Sequence, residues 1–246
     1  MRLSFATGCL LAAVATSAQN KSLLDNGGFE QMDKEPNTYD QVDNATGWKS
    51  VTIGYAELFS PLASAKTVGI PDNDYGHMDP QEGMHYAGFC AWKDDVRNNP
   101  NGDPEDPFEP GWNVYSEYIT APLNKPLQEG HTYHVVFHIA LSGNSDRAIS
   151  GLGAYFGPDL MSYDHRHFLH ESPQVGTDSI YAEKGKWATF DGTFVADGGE
   201  RYITVGCFPA AGFYTKRLVE GPDNRYAYYY IDGILVEEVP TVKEEE

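Results

Sequence analysis

The sequence is short of basic residues, of cysteine and of long apolar runs, and each shortage excludes something. Lys and Arg number 17 against 36 Asp and Glu, for a formal net charge of −19. A surface this acidic repels nucleic acid and anionic membrane, so binding through phosphate neutralisation is excluded as a principal mode. Neutral sugars, divalent cations or plain solubility suit it. The longest apolar stretch, Leu3 to Ala15, falls short of the roughly 20 residues a membrane-spanning helix needs. Of three cysteines, Cys9 lies in that stretch, which leaves Cys90 and Cys207 for the rest of the chain. Helical periodicity is nearly absent, as are the G-x-S-x-G elbow and the H-E-x-x-H helix of familiar hydrolases.

The leading segment reads as an export signal, residues 1–18. Arg2 supplies the positive start, and Ala15-Thr-Ser-Ala18 presents small residues where a signal peptidase cuts, with Gln19 as the new terminus. Ala6-Thr-Gly-Cys9 looks a little like a lipobox, but Cys9 precedes the leucine-alanine run instead of following it. The expected location is periplasmic, cell-surface or extracellular, where a disulfide is permitted. In Arg201–Cys207 the thiol shares the apolar face of Ile203 and Val205, whereas Cys90 lies opposite Ala87 and Phe89. The two thiols are therefore expected to point different ways.

What the chain does have is alternation of aromatic and β-branched residues, punctuated by Gly, Pro, Asn and Asp. Candidate strands are 22–30, 48–53, 85–92, 114–121, 132–141, 151–156, 187–195, 201–208 and 226–237. About nine strands with long connections predict an all-β fold, a two-sheet antiparallel jelly-roll β-sandwich. No repeat or linker divides 19–240, so one domain followed by a charged tail, 241–246, is expected. The segment 133–141 is the clearest: Tyr133, Val135, Phe137, Ile139 and Leu141 form a face that must be buried. His134, Val136, His138 and Ala140 form the other. Two long loops stand out, the acidic Lys93–Trp112 and Pro158–Lys186 with its Tyr163-Asp-His-Arg-His-Phe-Leu-His170.

Asn26-Gly-Gly-Phe-Glu30, the later Trp48 and the closing Tyr228-Tyr-Tyr-Ile-Asp-Gly-Ile-Leu-Val236 resemble the galactose-binding-like jelly rolls of carbohydrate-binding modules. More narrowly, Glu82–Phe89, Tyr115–Ile119, Leu127–Tyr133, Leu152–Phe156 and Gly198–Ile203 are similar to segments of the N-terminal domain of OmpA-family outer-membrane proteins of Bacteroidetes. Two departures are plain. Residues 1–246 include no segment resembling the peptidoglycan-binding OmpA domain, so a cell-wall tether is not expected from the resemblance, and the closing strand reads Ile231-Asp232-Gly233 where the family has a second Asp.

The resemblance implies a structural Ca²⁺ clamping the two ends of the domain through Glu30 and Asp232. Calcium takes six to eight oxygens, which carboxylates and backbone carbonyls supply flexibly. The alternative is that Glu30 accepts backbone amides and Asp232 caps a turn. The acidic loop lacks EF-hand spacing and reads as a solvated loop. His165, His167 and His170 lack a fourth ligand and read as surface residues. For sugar, aromatic faces and planar polar groups are needed. Trp92, Trp112, Tyr115 and Tyr118 bracket the acidic loop, and Tyr226, Tyr228 and Tyr230 alternate on the closing strand. The candidates for ligand contact are Trp92, Trp112, Tyr115, His134 and His138, although aromatics in strands are also what a core is made of. The expectation is a non-catalytic glycan-binding module. The alternatives are an envelope protein making adhesive protein contacts through the same fold, and a glycan-active enzyme using a pair of carboxylates.

Overall fold

The structure, a computed structural model, describes residues 22–93, 96–103, 106–110, 115–211 and 216–240. Ten strands build two antiparallel five-stranded sheets. In chain order they are β1 (Lys49–Ser50), β2 (Glu57–Phe59), β3 (Tyr86–Lys93), β4 (Tyr118–Pro122), β5 (Thr132–Leu141), β6 (Leu152–Gly157), β7 (Val175–Gly176), β8 (Ala188–Val195), β9 (Tyr202–Cys207) and β10 (Tyr226–Glu238). One sheet runs β1-β4-β9-β6-β7 and the other β8-β5-β10-β3-β2. From β3 onward the chain crosses between sheets at every connection but β6 to β7, which is the winding of a jelly roll. Among the described residues there is no α-helix, only two three-residue 3-10 turns.

The core follows from the period of two. On β5 the odd-numbered residues Tyr133 to Leu141 are fully buried, as the alternation requires, while His134, Val136 and His138 are half-buried on the outer face. Phe190 of β8 pairs with Phe137 in register and stacks on it, ring centroids 4.2 Å apart. A cross-strand aromatic pair of this kind adds about 1 kcal/mol beyond its burial. Opposite them, Ile203, Val205 and Cys207 of β9 and Leu152, Ala154 and Phe156 of β6 close the sandwich.

A second apolar layer lies on the outer face of the β10 sheet. Phe59, Tyr86, Cys90, Tyr228 and Tyr230 point away from the core and are covered by residues 60–80, which contribute Val68 and Met78. Cys90 sits in this layer and Cys207 in the inter-sheet core, and both are free thiols, as their opposite strand faces require.

The opening segment departs from expectation. Residues 22–30 form turns instead of a strand. The Asn26 side chain donates to the carbonyls of Gln31 (2.7 Å) and Thr46 (3.0 Å) and accepts from the amide of Gln31 (2.9 Å). Such side-chain bonds give the backbone an alternative to the ladder. Gly27 packs so tightly on β10 that a Cβ there would collide with the carbonyl of Ile234. Trp48 is fully buried, its indole bonded to the carbonyl of Asn26 and its ring packed on Phe29. The acidic stretch expected as a loop carries an antiparallel ribbon, Val96–Asp103 with Asp106–Pro110.

Candidate functional site

The outer layer is incomplete at the Tyr226 end of β10, and the gap is a cleft of about 470 Å³. That volume is in the range of small-molecule sites. Its floor is made by three strands and a crossing segment. In register, Gly88 of β3 lies between Glu57 of β2 and Tyr230 of β10, while Tyr228 pairs with Cys90. Because Gly88 has no side chain, the ring of Tyr228 crosses over β3. A Cβ at this position would lie 2.5 Å from the Tyr228 hydroxyl. That hydroxyl reaches across to donate to Glu57 Oε2 at 2.5 Å.

Tyr75 comes from the hairpin formed by Asp72–Asn73 and Gly76–His77. Its ring stacks on Tyr228, centroids 3.7 Å apart and planes 14° from parallel. Its hydroxyl donates to the other oxygen, Glu57 Oε1, at 2.8 Å. Glu117 enters on the segment leading into β4. Its amide donates to the carbonyl of Cys90, and the Cys90 amide donates back to Glu117 Oε2 at 2.6 Å. Tyr115 donates to Glu117 Oε1 at 2.5 Å. Tyr39, Tyr226, Asp40, Asp74 and Lys93 complete the lining, with Tyr39 donating to Asp74 at 3.0 Å.

Both floor carboxylates are buried, Glu57 at 3% and Glu117 at 5% exposure. Burial penalises their charged forms, and their mutual repulsion adds to it on Glu57, against the lowering effect of the tyrosine hydroxyls. Glu57 is pushed well above the ordinary carboxylate range, and Glu117 to about 7. The Cys90 thiol is also pushed up, by burial first and then by the charge of Glu117, so it stays protonated.

Of the residues singled out from sequence, Tyr115 lines the cleft, and so do Tyr226 and Tyr228 of the closing strand. Trp92 instead belongs to the inter-sheet core at 1% exposure: at the end of β3 its ring takes the core side. Trp112 lies outside the described residues. Tyr118 is fully buried with Phe208 and Leu169. His134 and His138 occupy the outer face of β5 as the alternation placed them, but they do not line the cleft. Register explains this, since they pair with Glu237 and Asp232, toward the far end of β10. His134 lies between Asp191 (2.9 Å) and Glu237 (3.3 Å), whose hydrogen bonds raise its pKa, whereas burial lowers that of His138. Tyr163, His165 and His167 stack in succession along their loop.

Glu30 and Asp232 hold one loop, residues 81–85, from two sides. Glu30 Oε1 accepts the amides of Met84 (2.8 Å) and His85 (2.9 Å), and its Oε2 meets His85 Nδ1 at 3.0 Å. Asp232 Oδ2 accepts the amides of Gln81 (2.9 Å) and Glu82 (3.2 Å), and Oδ1 that of Gly233 (2.7 Å). Burial still raises Asp232 to about 7, above what those amides take back. No group of three or more His, Cys, Asp or Glu is placed to hold a metal among the described residues.

Sequence reasoning missed Glu57, Glu117, Tyr39 and Tyr75. The available signal was a carboxylate set inside an apolar run, as in Ala56-Glu57-Leu58-Phe59 and Glu117-Tyr118-Ile119. A charge in such a position needs partners, and partners imply a site.

The fold and cleft define an all-β jelly-roll sandwich with an aromatic, acidic depression on one sheet. No family model matches the sequence, and no curated protein matches it. Solved structures of similar arrangement include the CBM22-1 xylan-binding domain of Xyn10C from Paenibacillus barcinonensis. It is 12% identical, with a TM-score of 0.42, over 91% of this chain and 97% of that one. TmCBM61 in complex with β-1,4-galactotriose is 10% identical, TM-score 0.38, over 89% and 99%. The K2 cleaved adhesin domain of Lys-gingipain is 8% identical, TM-score 0.37, over 87% and 97%. Likeness at this level carries no argument about what the cleft binds.

Proposed function

We propose that the protein is an exported, non-catalytic glycan-binding module whose ligand lies in the tyrosine cleft. The observation that carries this reading is the cleft itself: five tyrosines around two buried carboxylates, on the face of a regular sheet. Tyrosine offers an apolar ring to the C–H face of a sugar and a hydroxyl to its polar edge. Every oxygen of Glu57 and Glu117 already accepts a hydroxyl or amide of the protein itself. Groups committed in this way suit recognition better than proton transfer, which needs an oxygen turned toward the reacting atom.

A glycan array followed by calorimetry tests it. Tyr75→Ala removes the stacked wall and should weaken the best ligand about fivefold, in keeping with about 1 kcal/mol for an aromatic contact. A blank array together with a protein captured specifically from the envelope would replace this reading with the adhesive one. Export is tested by the mature N-terminus, expected at Gln19 after secretion.

The calcium ion implied at Glu30 and Asp232 remains part of the proposal in a narrow form. A carboxylate has about four lone-pair sites. Each of these two already accepts three nitrogen contacts, so little is left for a cation. Ca²⁺ bound there would raise the thermal midpoint, and chelator would lower it again. A midpoint indifferent to both removes the ion from the account and leaves the amides as the whole clamp.

A further inference from the structure

We propose that the cleft selects glycans bearing free amino groups, such as runs of glucosamine units, over neutral or acidic ones. The inference rests on the glycan-binding reading above and concerns the charge of the ligand that the same site takes.

Among the described residues four carboxylates line the cleft, Asp40, Glu57, Asp74 and Glu117, against one cation, Lys93 at the exposed rim. A uronic acid or a sulfated sugar entering here would be repelled by the rim carboxylates Asp40 and Asp74 and would find no cation at the floor to pair with. A neutral sugar would supply hydroxyl donors, yet both oxygens of Glu57 and of Glu117 already have donors from Tyr75, Tyr228, Tyr115 and the Cys90 amide. The floor is therefore provided with hydrogen bonds and short of positive charge. An ammonium group provides that charge.

The walls favour the same ligand. Tyrosine rings attract a cation through their negative faces, by roughly 0.5–2 kcal/mol depending on desolvation. Aromatic rings around a carboxylate are a chemistry suited to amines, and here the cavity, its rings and its buried acids occur together. In the free protein, burial leaves Glu57 and Glu117 favouring their protonated forms. When an ammonium enters, that carboxylic proton leaves to the buffer and the ligand keeps its own, so binding should release protons.

The test is calorimetry near neutral pH with three β-1,4-linked oligosaccharides of equal length, built from glucosamine, N-acetylglucosamine and glucose. The glucosamine oligomer is expected to bind about tenfold tighter than the other two, an advantage of about 1.4 kcal/mol. Its enthalpy should depend on the ionisation enthalpy of the buffer, and its advantage should shrink at high salt. In Glu57→Gln and in Glu117→Gln the ratio of glucosamine-oligomer to glucose-oligomer affinity should fall from about tenfold toward one, whatever each variant does to the absolute affinities. Asp40→Asn, at the exposed rim, should reduce the preference by a smaller factor and serves if the buried variants do not fold. Equal or weaker binding of the amino oligomer, or an array that finds only neutral or acidic glycans, overturns the preference and leaves the glycan reading standing. A blank against all three oligomers and the array overturns both.

Discussion

Two pairs of carboxylates lie around strand β3 and the loop leading into it, and they are held in different ways. Glu30 and Asp232 hold the loop 81–85 mainly by accepting backbone amides, which are fixed in direction by the chain. Glu57 and Glu117 accept three tyrosine hydroxyls and one amide. A hydroxyl can rotate, and it can accept as well as donate. The first pair therefore fixes a loop, and the second can exchange partners when a ligand arrives. Burial does not distinguish Asp232 from Glu117, since it raises both to about 7. Glu30 is exposed, and what burial adds there is outweighed by the hydrogen bonds of His85 and the loop amides, which lower it.

This contrast can be broken at either end. The largest effect is expected from Asp232→Ala, which strands three backbone amides. At a net of about 0.5–1.5 kcal/mol for each hydrogen bond, the loss should reach about 2–4 kcal/mol and show as a clear fall in the denaturation midpoint. Gly88→Ala comes next. Its methyl group must displace the Tyr228 hydroxyl from Glu57, so ligand binding should fall at least tenfold while the fold survives with a loss of about 1–3 kcal/mol. Retained binding in Gly88→Ala would show that the Tyr228–Glu57 bond is not part of the site.

A pH series sharpens the comparison further. Glu57, Glu117 and Asp232 all bind protons more tightly folded than unfolded. Stability is therefore fullest below the ordinary carboxylate pKa and declines as pH rises toward about 7. Raising the pH from about 5 to about 8 should lower the melting temperature by several degrees. In Glu57→Gln/Glu117→Gln the slope should be shallower, with the remainder due to Asp232 and to His134, whose raised pKa acts in the same direction. An unchanged slope in that double variant would mean the cleft carboxylates are ionised in the folded protein. The smallest effect is expected from His138→Ala: it lies off the cleft, and affinity should change less than twofold, or about 0.4 kcal/mol.

The strands were legible because their cause is local. A face such as Tyr133, Val135, Phe137, Ile139 and Leu141 can be buried only one way, and 132–141 is a strand to the residue. The N-terminal motif was misread because Asn26 and two glycines build a turn that periodicity does not register. The cleft was legible only at Tyr115, Tyr226 and Tyr228. Its other members depend on the hairpin at 72–77 folding back over the sheet and on a glycine in the strand next to the ring it admits. Trp92 was placed near a ligand by its loop edge, but a large ring at the end of a fully buried strand gains more from the core.

The reach of Tyr228 over Gly88 also bears on the order of assembly. Glu57 and Glu117 are translated long before Tyr228, and until β10 docks between β3 and β5 one oxygen of Glu57 lacks its donor. Contacts this distant in sequence form late and slowly. On the proposed reading, competence to bind is therefore acquired only when β10 docks.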